Sequence, residues 1–369
     1  MAATRSVVAL VLLVAAGCTD DDDLAGELPA ATQVAAITTV TAPVTTTRVP
    51  ATTLPLVTAT TQQATTSPAL PDTTAATTAC PALTPGVNDI ELTAGGATHP
   101  VRVFVPSAYT GAPLPVVIDW HGLGSTGPQQ AMYSGYESVA ESEGFIVVHP
   151  TGVANVAGGP NSWQLFPAAD GARDDVAFAG ALIDELASSW CADAARVYST
   201  GMSNGGFFTA RLICEMSHRI AAAVSVAGTF HPESCEPARD VPYVAIHGTE
   251  DKVVPYAGGD STLSSPDSPE ELRVFFESVI PEEFNEFARD AGCDANINTD
   301  VGDDVIRHEY TGCDGDAPLI FFEVRGGGHT WPSSPMAALT SGALGYTTDD
   351  IDATRDGWAF MSQYTLAGV

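Results

Sequence analysis

Gly201-Met202-Ser203-Asn204-Gly205 is the stretch of this 369-residue chain that carries the most chemistry. A serine between glycines at this spacing suits a sharp strand-to-helix turn, because glycines let strand and helix approach without Cβ clashes. Such a turn exposes the Ser203 hydroxyl, and the backbone N–H of Asn204 then points toward any oxyanion formed there. The implied chemistry is nucleophilic attack on a carbonyl carbon. The pattern alone is weak, since among 34 glycines it should arise by chance roughly 0.2 times in such a chain. Its context is favourable: the residues before it read as a strand and those after it as a helix.

A serine hydroxyl is a poor nucleophile without a base, so a histidine and an orienting acid are required. On this kind of turn the chain order is Ser, then Asp or Glu, then His. Of eight histidines, His308 and His329 lie beyond Ser203 and the plausible acids. His308 sits in the run Val305–Tyr310 and reads as a strand-surface residue. His329 follows Gly326-Gly327-Gly328, a permissive loop after a strand, and is the expected base. Asp251 lies just past a strand ending at His247-Gly248 and is the expected acid, whereas Asp240, Asp260 and Asp303 have no strand-end placement. Asp174 and Asp175 open a helix and read as capping residues.

A second oxyanion donor should come from the loop Trp120-His121-Gly122-Leu123-Gly124-Ser125, with the Leu123 N–H the best candidate. The His121 imidazole is read as fixing that loop. Trp163, in a Gly/Pro/Asn-rich loop, and Trp331, just past His329, are the candidate substrate-binding residues. No cofactor and no metal is expected.

These residues need a scaffold, and the pattern supplies one. Val101–Val105, Val116–Trp120, Phe145–His149, Arg196–Thr200, Ala221–Ala227, Val241–His247, Val305–Tyr310 and Leu319–Val324 read as strands. Helices are expected at Gln129–Glu143, Asp174–Trp190, Gly205–Met216, Phe284–Ala291 and near Thr354–Tyr364. Strands alternating with helices imply an α/β fold with a mostly parallel sheet covered on both faces. One folded domain, residues 80–369, is expected.

Residues 1–17 read as a signal peptide: Arg5 is a basic start, and the apolar run Val7–Ala16 is shorter than the about 20 residues that span a bilayer. Ala15-Ala16-Gly17-Cys18 resembles a lipobox, so Cys18 is expected to carry a lipid, the only membrane contact foreseen; simple cleavage and release is the alternative. Residues 18–79, rich in Thr, Ala and Pro after the acidic Asp20–Asp23, read as a disordered stalk. Setting Cys18 aside leaves six cysteines, for which arithmetic allows about 15 pairings. Chain proximity favours Cys214–Cys235 and Cys293–Cys313, leaving Cys80–Cys191, and their spacing fits no zinc ribbon. With 14 basic against 45 acidic residues and a net charge of −31, nucleic-acid binding is excluded as a function class. Neutral or weakly charged substrates should suit the protein better than polyanionic ones. A monomer is expected. No appended polymer-binding module is foreseen beyond the last helix.

W-H-G-L-G-S, R-D-D-V-A-F, G-M-S-N-G-G, H-G-T-E-D-K-V-V-P-Y and G-G-G-H-T-W-P occur in that order. Together they resemble the secreted esterases of the polyhydroxybutyrate depolymerase and feruloyl esterase family, which overlaps with acetyl xylan esterases and includes mycobacterial-type lipoproteins. The resemblance spans nearly all of residues 80–369. It implies an α/β-hydrolase fold and an ester substrate, with roles for Ser203, Asp251 and His329 matching those read from spacing. The segment Asp260–Val279 is longer than the resemblance leads one to expect, which leaves the cleft border there open. The expected function is a cell-surface serine carboxylesterase acting on feruloyl or acetyl esters or on polyester fragments. A serine peptidase on the same fold and a non-catalytic ligand-binding surface lipoprotein are the alternatives.

Overall fold

A computed structural model describes residues 80, 83–155, 158–167, 172–264 and 270–367. The expected signal peptide, stalk and lipid site at Cys18 lie outside the described residues.

In chain order the elements are β1 (Gly86–Ala94), β2 (Ala97–Val105), β3 (Leu114–Trp120), α1 (Gly127–Ser134), α2 (Tyr136–Glu143), β4 (Ile146–Pro150), β5 (Val153–Ala154), β6 (Asn161–Ser162), α3 (Asp175–Ser189) and β7 (Ala192–Met202). They continue with α4 (Asn204–Glu215), β8 (Ala222–Val226), β9 (Tyr243–Gly248), α5 (Glu270–Phe276), α6 (Ile280–Asp290), β10 (Ala295–Val301), β11 (Val305–Thr311), β12 (Leu319–Val324), α7 (Ala337–Leu344) and α8 (Arg355–Met361).

The large sheet runs β1-β2-β4-β3-β7-β8-β9-β12-β11-β10. Its centre, from β4 through β12, is parallel. Antiparallel pairs extend it at both edges. The central strands are apolar without alternation and buried along their length, as a sheet covered on both faces requires. Two separate apolar cores confirm that cover. One joins the sheet to Phe178, Leu182 and Leu186 of α3, Phe208 of α4 and Phe284 of α6. The other joins it to Tyr136 and Val139 of α2 and Met361 of α8. This is the α/β-hydrolase architecture.

The structure differs from expectation in places with clear causes. The single helix expected over Gln129–Glu143 is two, because Gly135 takes a left-handed φ of 72° and caps one while opening the next. A side chain there would also press on Pro335. Asp174 caps α3 as expected, its carboxylate accepting from the N–H groups of Val176 and Ala177. Asp175 is not a cap. It is buried and paired with Arg173 at 2.7 Å.

Disulfides join Cys80–Cys191, Cys214–Cys235 and Cys293–Cys313, the pairing that chain proximity favours. The two shorter links close separations of 21 and 20 residues. Each should stabilise the fold by about 3 kcal/mol in the chain-entropy model.

Candidate active site

Ser203, Asp251, His329 and the His121–Gly124 loop follow the C-terminal ends of β7, β9, β12 and β3. These strands belong to the parallel part of the sheet, so all four segments emerge along one edge. Ligands bind at that edge in open α/β sheets.

Ser203 stands between β7 and α4 with φ 55° and ψ −119°, a left-handed conformation that costs a side-chain-bearing residue about 1–3 kcal/mol. Neighbouring contacts hold it there. Its N–H donates to Val226 O at 2.8 Å, and its carbonyl accepts from Phe207 N–H at 2.9 Å. Gly205 makes the turn possible, since a Cβ at that position would lie 2.0 Å from Trp120 O. On the other side, a Cβ on Gly122 would lie 4.0 Å from Ser203 Oγ. The loop carrying Leu123 therefore passes directly beside the hydroxyl, and Asn204 opens α4 on the far side.

His329 Nδ1 donates to Asp251 Oδ2 at 2.7 Å, with both side chains nearly buried. Because a carboxylate only accepts, the proton sits on Nδ1 and Nε2 is left as the basic nitrogen. Asp251 is held in turn by the N–H groups of Val253 and Val254, each 2.8 Å from Oδ1. His247 Nε2 lies 3.4 Å from Oδ2. Burial would raise the Asp251 pKa, but the attraction and hydrogen bond of His329, with His247 close by, outweigh it and hold the carboxyl below the usual range.

His121 is spent on structure, as expected. Its Nδ1–H donates to Gly122 O at 2.7 Å and its Nε2 accepts from Gly152 N–H at 2.9 Å. Burial pushes its pKa down to about 4, against the raising effect of the Gly122 bond. His308 bonds Asn298 on the neighbouring strand, a strand-surface role.

Trp163 and Trp331 correct the expectation that they border a substrate cleft. Trp163 is 1% exposed, its indole N–H donates to His121 O at 3.1 Å, and it stacks on Phe208 at 5.5 Å. Trp331 is 0% exposed and donates to Thr354 Oγ1 at 2.9 Å. Each indole is enclosed with its one donor already used.

The apolar wall lies elsewhere. A cavity of about 660 Å³ is lined by Phe166, Phe207, Phe230, Val254, Phe275 and Ile280, among others. Four of its rings form a closed cycle of edge contacts: Phe207 to Phe230 at 5.9 Å, Phe230 to Phe166 at 6.1 Å, Phe166 to Phe275 at 6.3 Å, and Phe275 to Phe207 at 5.1 Å. Ser203, Asp251 and His329 are not among its lining residues, but two lining residues are tied to them: the Phe207 N–H donates to the Ser203 carbonyl and the Val254 N–H to the Asp251 carboxylate. Glu215, Glu233 and Glu283 also face it, with His231 the one basic type among its lining residues. Sequence reading missed this wall. A usable signal existed in Phe207, one helical turn past Ser203, and in Phe275-Phe276 inside an otherwise acidic segment. Within the segment Asp260–Val279, α5 supplies Val274, Phe275 and Phe276 to this cavity.

The family model described as Phospholipase/Carboxylesterase matches residues 108–265. A protein named as an esterase, NocK of Nocardia uniformis subsp. tsuyamanensis, is 28% identical over 72% of this chain and 80% of its own length. Feruloyl esterase B of Piromyces equi is 28% identical over 72% of this chain and 45% of its own. The bifunctional acetylxylan esterase/xylanase XynS20E of Neocallimastix patriciarum is 26% identical over 74% of this chain and 34% of its own. The chain thus spans less than half the length of the latter two relatives. Fold, matched family model and relatives point the same way: the chain is a carboxylesterase of the α/β-hydrolase fold, similar to proteins named as feruloyl and acetylxylan esterases.

Proposed function

We propose that the protein is an exported serine esterase in which Ser203 is the nucleophile, His329 the general base and acid, and Asp251 the group that orients His329. Ser203 Oγ bonds to the ester carbonyl carbon as its proton passes to His329 Nε2. The tetrahedral oxyanion is held by the N–H groups of Leu123 and Asn204. The carbon–oxygen bond to the alcohol then breaks, and the alkoxide takes the proton from His329. Water repeats the sequence on the acyl-enzyme, releasing the acid and restoring Ser203. The observation that carries this reading is the His329–Asp251 bond at the sheet edge that Ser203 shares.

The acyl or alcohol part of the substrate occupies the phenylalanine-lined cavity. Its apolar wall and carboxylate rim suit neutral esters, with feruloyl, acetyl and short polyhydroxyalkanoate-type esters as the substrate classes. The relatives named as esterases support an ester over a peptide bond as the target. Three disulfides support an oxidising, extracellular location. The signal-like start with Cys18 supports a lipid-anchored, cell-surface form carrying the domain on residues 18–79.

The test is a panel of methyl ferulate, acetylated xylan, polyhydroxybutyrate, bis(hydroxyethyl) terephthalate and the amide matched to methyl ferulate. Hydrolysis of one or more esters with the amide untouched is the expected result. Cleavage of the amide at a rate similar to its ester, or of nothing on the panel by folded protein, overturns the reading.

A further inference from the structure

Two residues marked by the sequence, Trp163 and Asn204, are joined in a way the triad does not use. The Asn204 side chain clasps the Trp163 backbone from both sides: Oδ1 accepts from Trp163 N–H at 2.6 Å, and Nδ2 donates to Trp163 O at 3.0 Å. The Trp163 indole N–H reaches on to the backbone carbonyl of His121 at 3.1 Å. The His121 ring in turn donates to Gly122 O at 2.7 Å. Gly122 C=O and Leu123 N–H belong to one planar peptide, so fixing the carbonyl fixes the N–H opposite it. An unbroken path of hydrogen bonds therefore runs from Asn204, through Trp163 and His121, to the Leu123 peptide.

The path is braced. Arg173 donates to Ser162 O at 3.0 Å, and the buried carboxylate of Asp175 accepts from Gln164 N–H at 2.8 Å. Arg211, also buried, donates to the carbonyls of Gln164 and Phe166, each at 3.0 Å. Charges this enclosed are costly unless well bonded, and here four of their bonds go to the backbone of Ser162, Gln164 and Phe166. Gly152 N–H, donating to Nε2, holds the His121 ring in the tautomer that can donate to Gly122.

We infer that Trp163 and His121 are positioning residues: they lock the Leu123 N–H to the Asn204 N–H so that both oxyanion donors are set before substrate arrives. This rests on the proposed serine esterase reading. Fixed donors act without reorganisation at the moment of reaction, so loosening the path should weaken binding of the tetrahedral state and leave ground-state binding nearly intact.

The experiment compares wild type with Trp163→Phe, which keeps a ring but loses the N–H, with His121→Ala, and with His121→Asn, whose amide can still donate to Gly122 O. Each is measured for kcat and KM on p-nitrophenyl butyrate, for inhibition by an alkyl trifluoromethyl ketone that forms a tetrahedral adduct, and for thermal melting. Trp163→Phe and His121→Ala should lose about 10- to 100-fold in kcat, with KM within about twofold. Ketone affinity should fall in parallel, and His121→Asn should recover part of both. The inference is overturned if folded variants keep wild-type kcat, if only KM moves, or if kcat falls while ketone affinity stays constant. Should Trp163→Phe fail to fold, the two His121 variants decide. Labelling of Ser203 by a fluorophosphonate in wild type keeps the two questions apart, since its absence defeats the serine esterase reading and not the path.

Discussion

His329 Nδ1 and Asp251 Oδ2 meet at 2.7 Å although 78 residues separate them in the chain. They meet because β9 and β12 are parallel neighbours, with Val324 opposite Gly248, and each residue lies a few positions past its strand end. Asp251 also accepts two backbone N–H groups, so its carboxylate is aimed before His329 arrives. Asp251→Asn keeps the shape but can donate as well as accept, and so no longer fixes the Nδ1 proton. It should lower kcat by about 10³-fold or more with a small change in melting temperature. Steady-state kinetics with melting curves check this; a loss under tenfold means Asp251 does not orient His329.

The carboxyl of Asp251 titrates below the usual range in the folded protein. Its contribution to stability is therefore present above the unfolded carboxylate pKa and is lost as pH falls through the folded one. His121 acts at milder pH. It stays neutral in the fold down to about 4, whereas the unfolded chain's histidine protonates near 6.5. Between those values the unfolded chain binds more protons, so stability falls on acidification by about 3 kcal/mol in total. Urea unfolding at pH 7 and pH 4.5 should show this loss, and His121→Asn should show a smaller one. An equal loss in both proteins would remove His121 as the cause.

Gly205 and Gly342 should respond in opposite directions to alanine. A Cβ at Gly205 would sit 2.0 Å from Trp120 O, whereas nothing lies within 4 Å of one at Gly342 in α7. Gly205→Ala should cost about 3 kcal/mol or more and displace the Ser203 turn. Gly342→Ala should stabilise by up to about 1 kcal/mol through helix propensity. Thermal melts of the two variants check both signs.

What could be read from sequence follows from how locally each feature is encoded. The Ser203 turn and the central strands are written in contiguous residues, glycines at fixed offsets and unbroken apolar runs. β10 (Ala295–Val301) was not readable, because as an outer edge strand it is almost wholly exposed and carries Asn, Thr and Asp. Trp163 and Trp331 depart from expectation for a related reason. Their Gly- and Pro-rich neighbours suggest exposure, while their indole partners, His121 and Thr354, lie 42 and 23 residues away. The cycle of four phenylalanines is assembled from four separate segments between residues 166 and 275, so no local pattern announces it.

The most direct test of the account is the hydrolysis of p-nitrophenyl acetate by Ser203→Ala, with folding matched to wild type by melting temperature. A Ser203 nucleophile predicts a fall of at least about 10⁴-fold in kcat/KM. Retention of more than trace activity would contradict it.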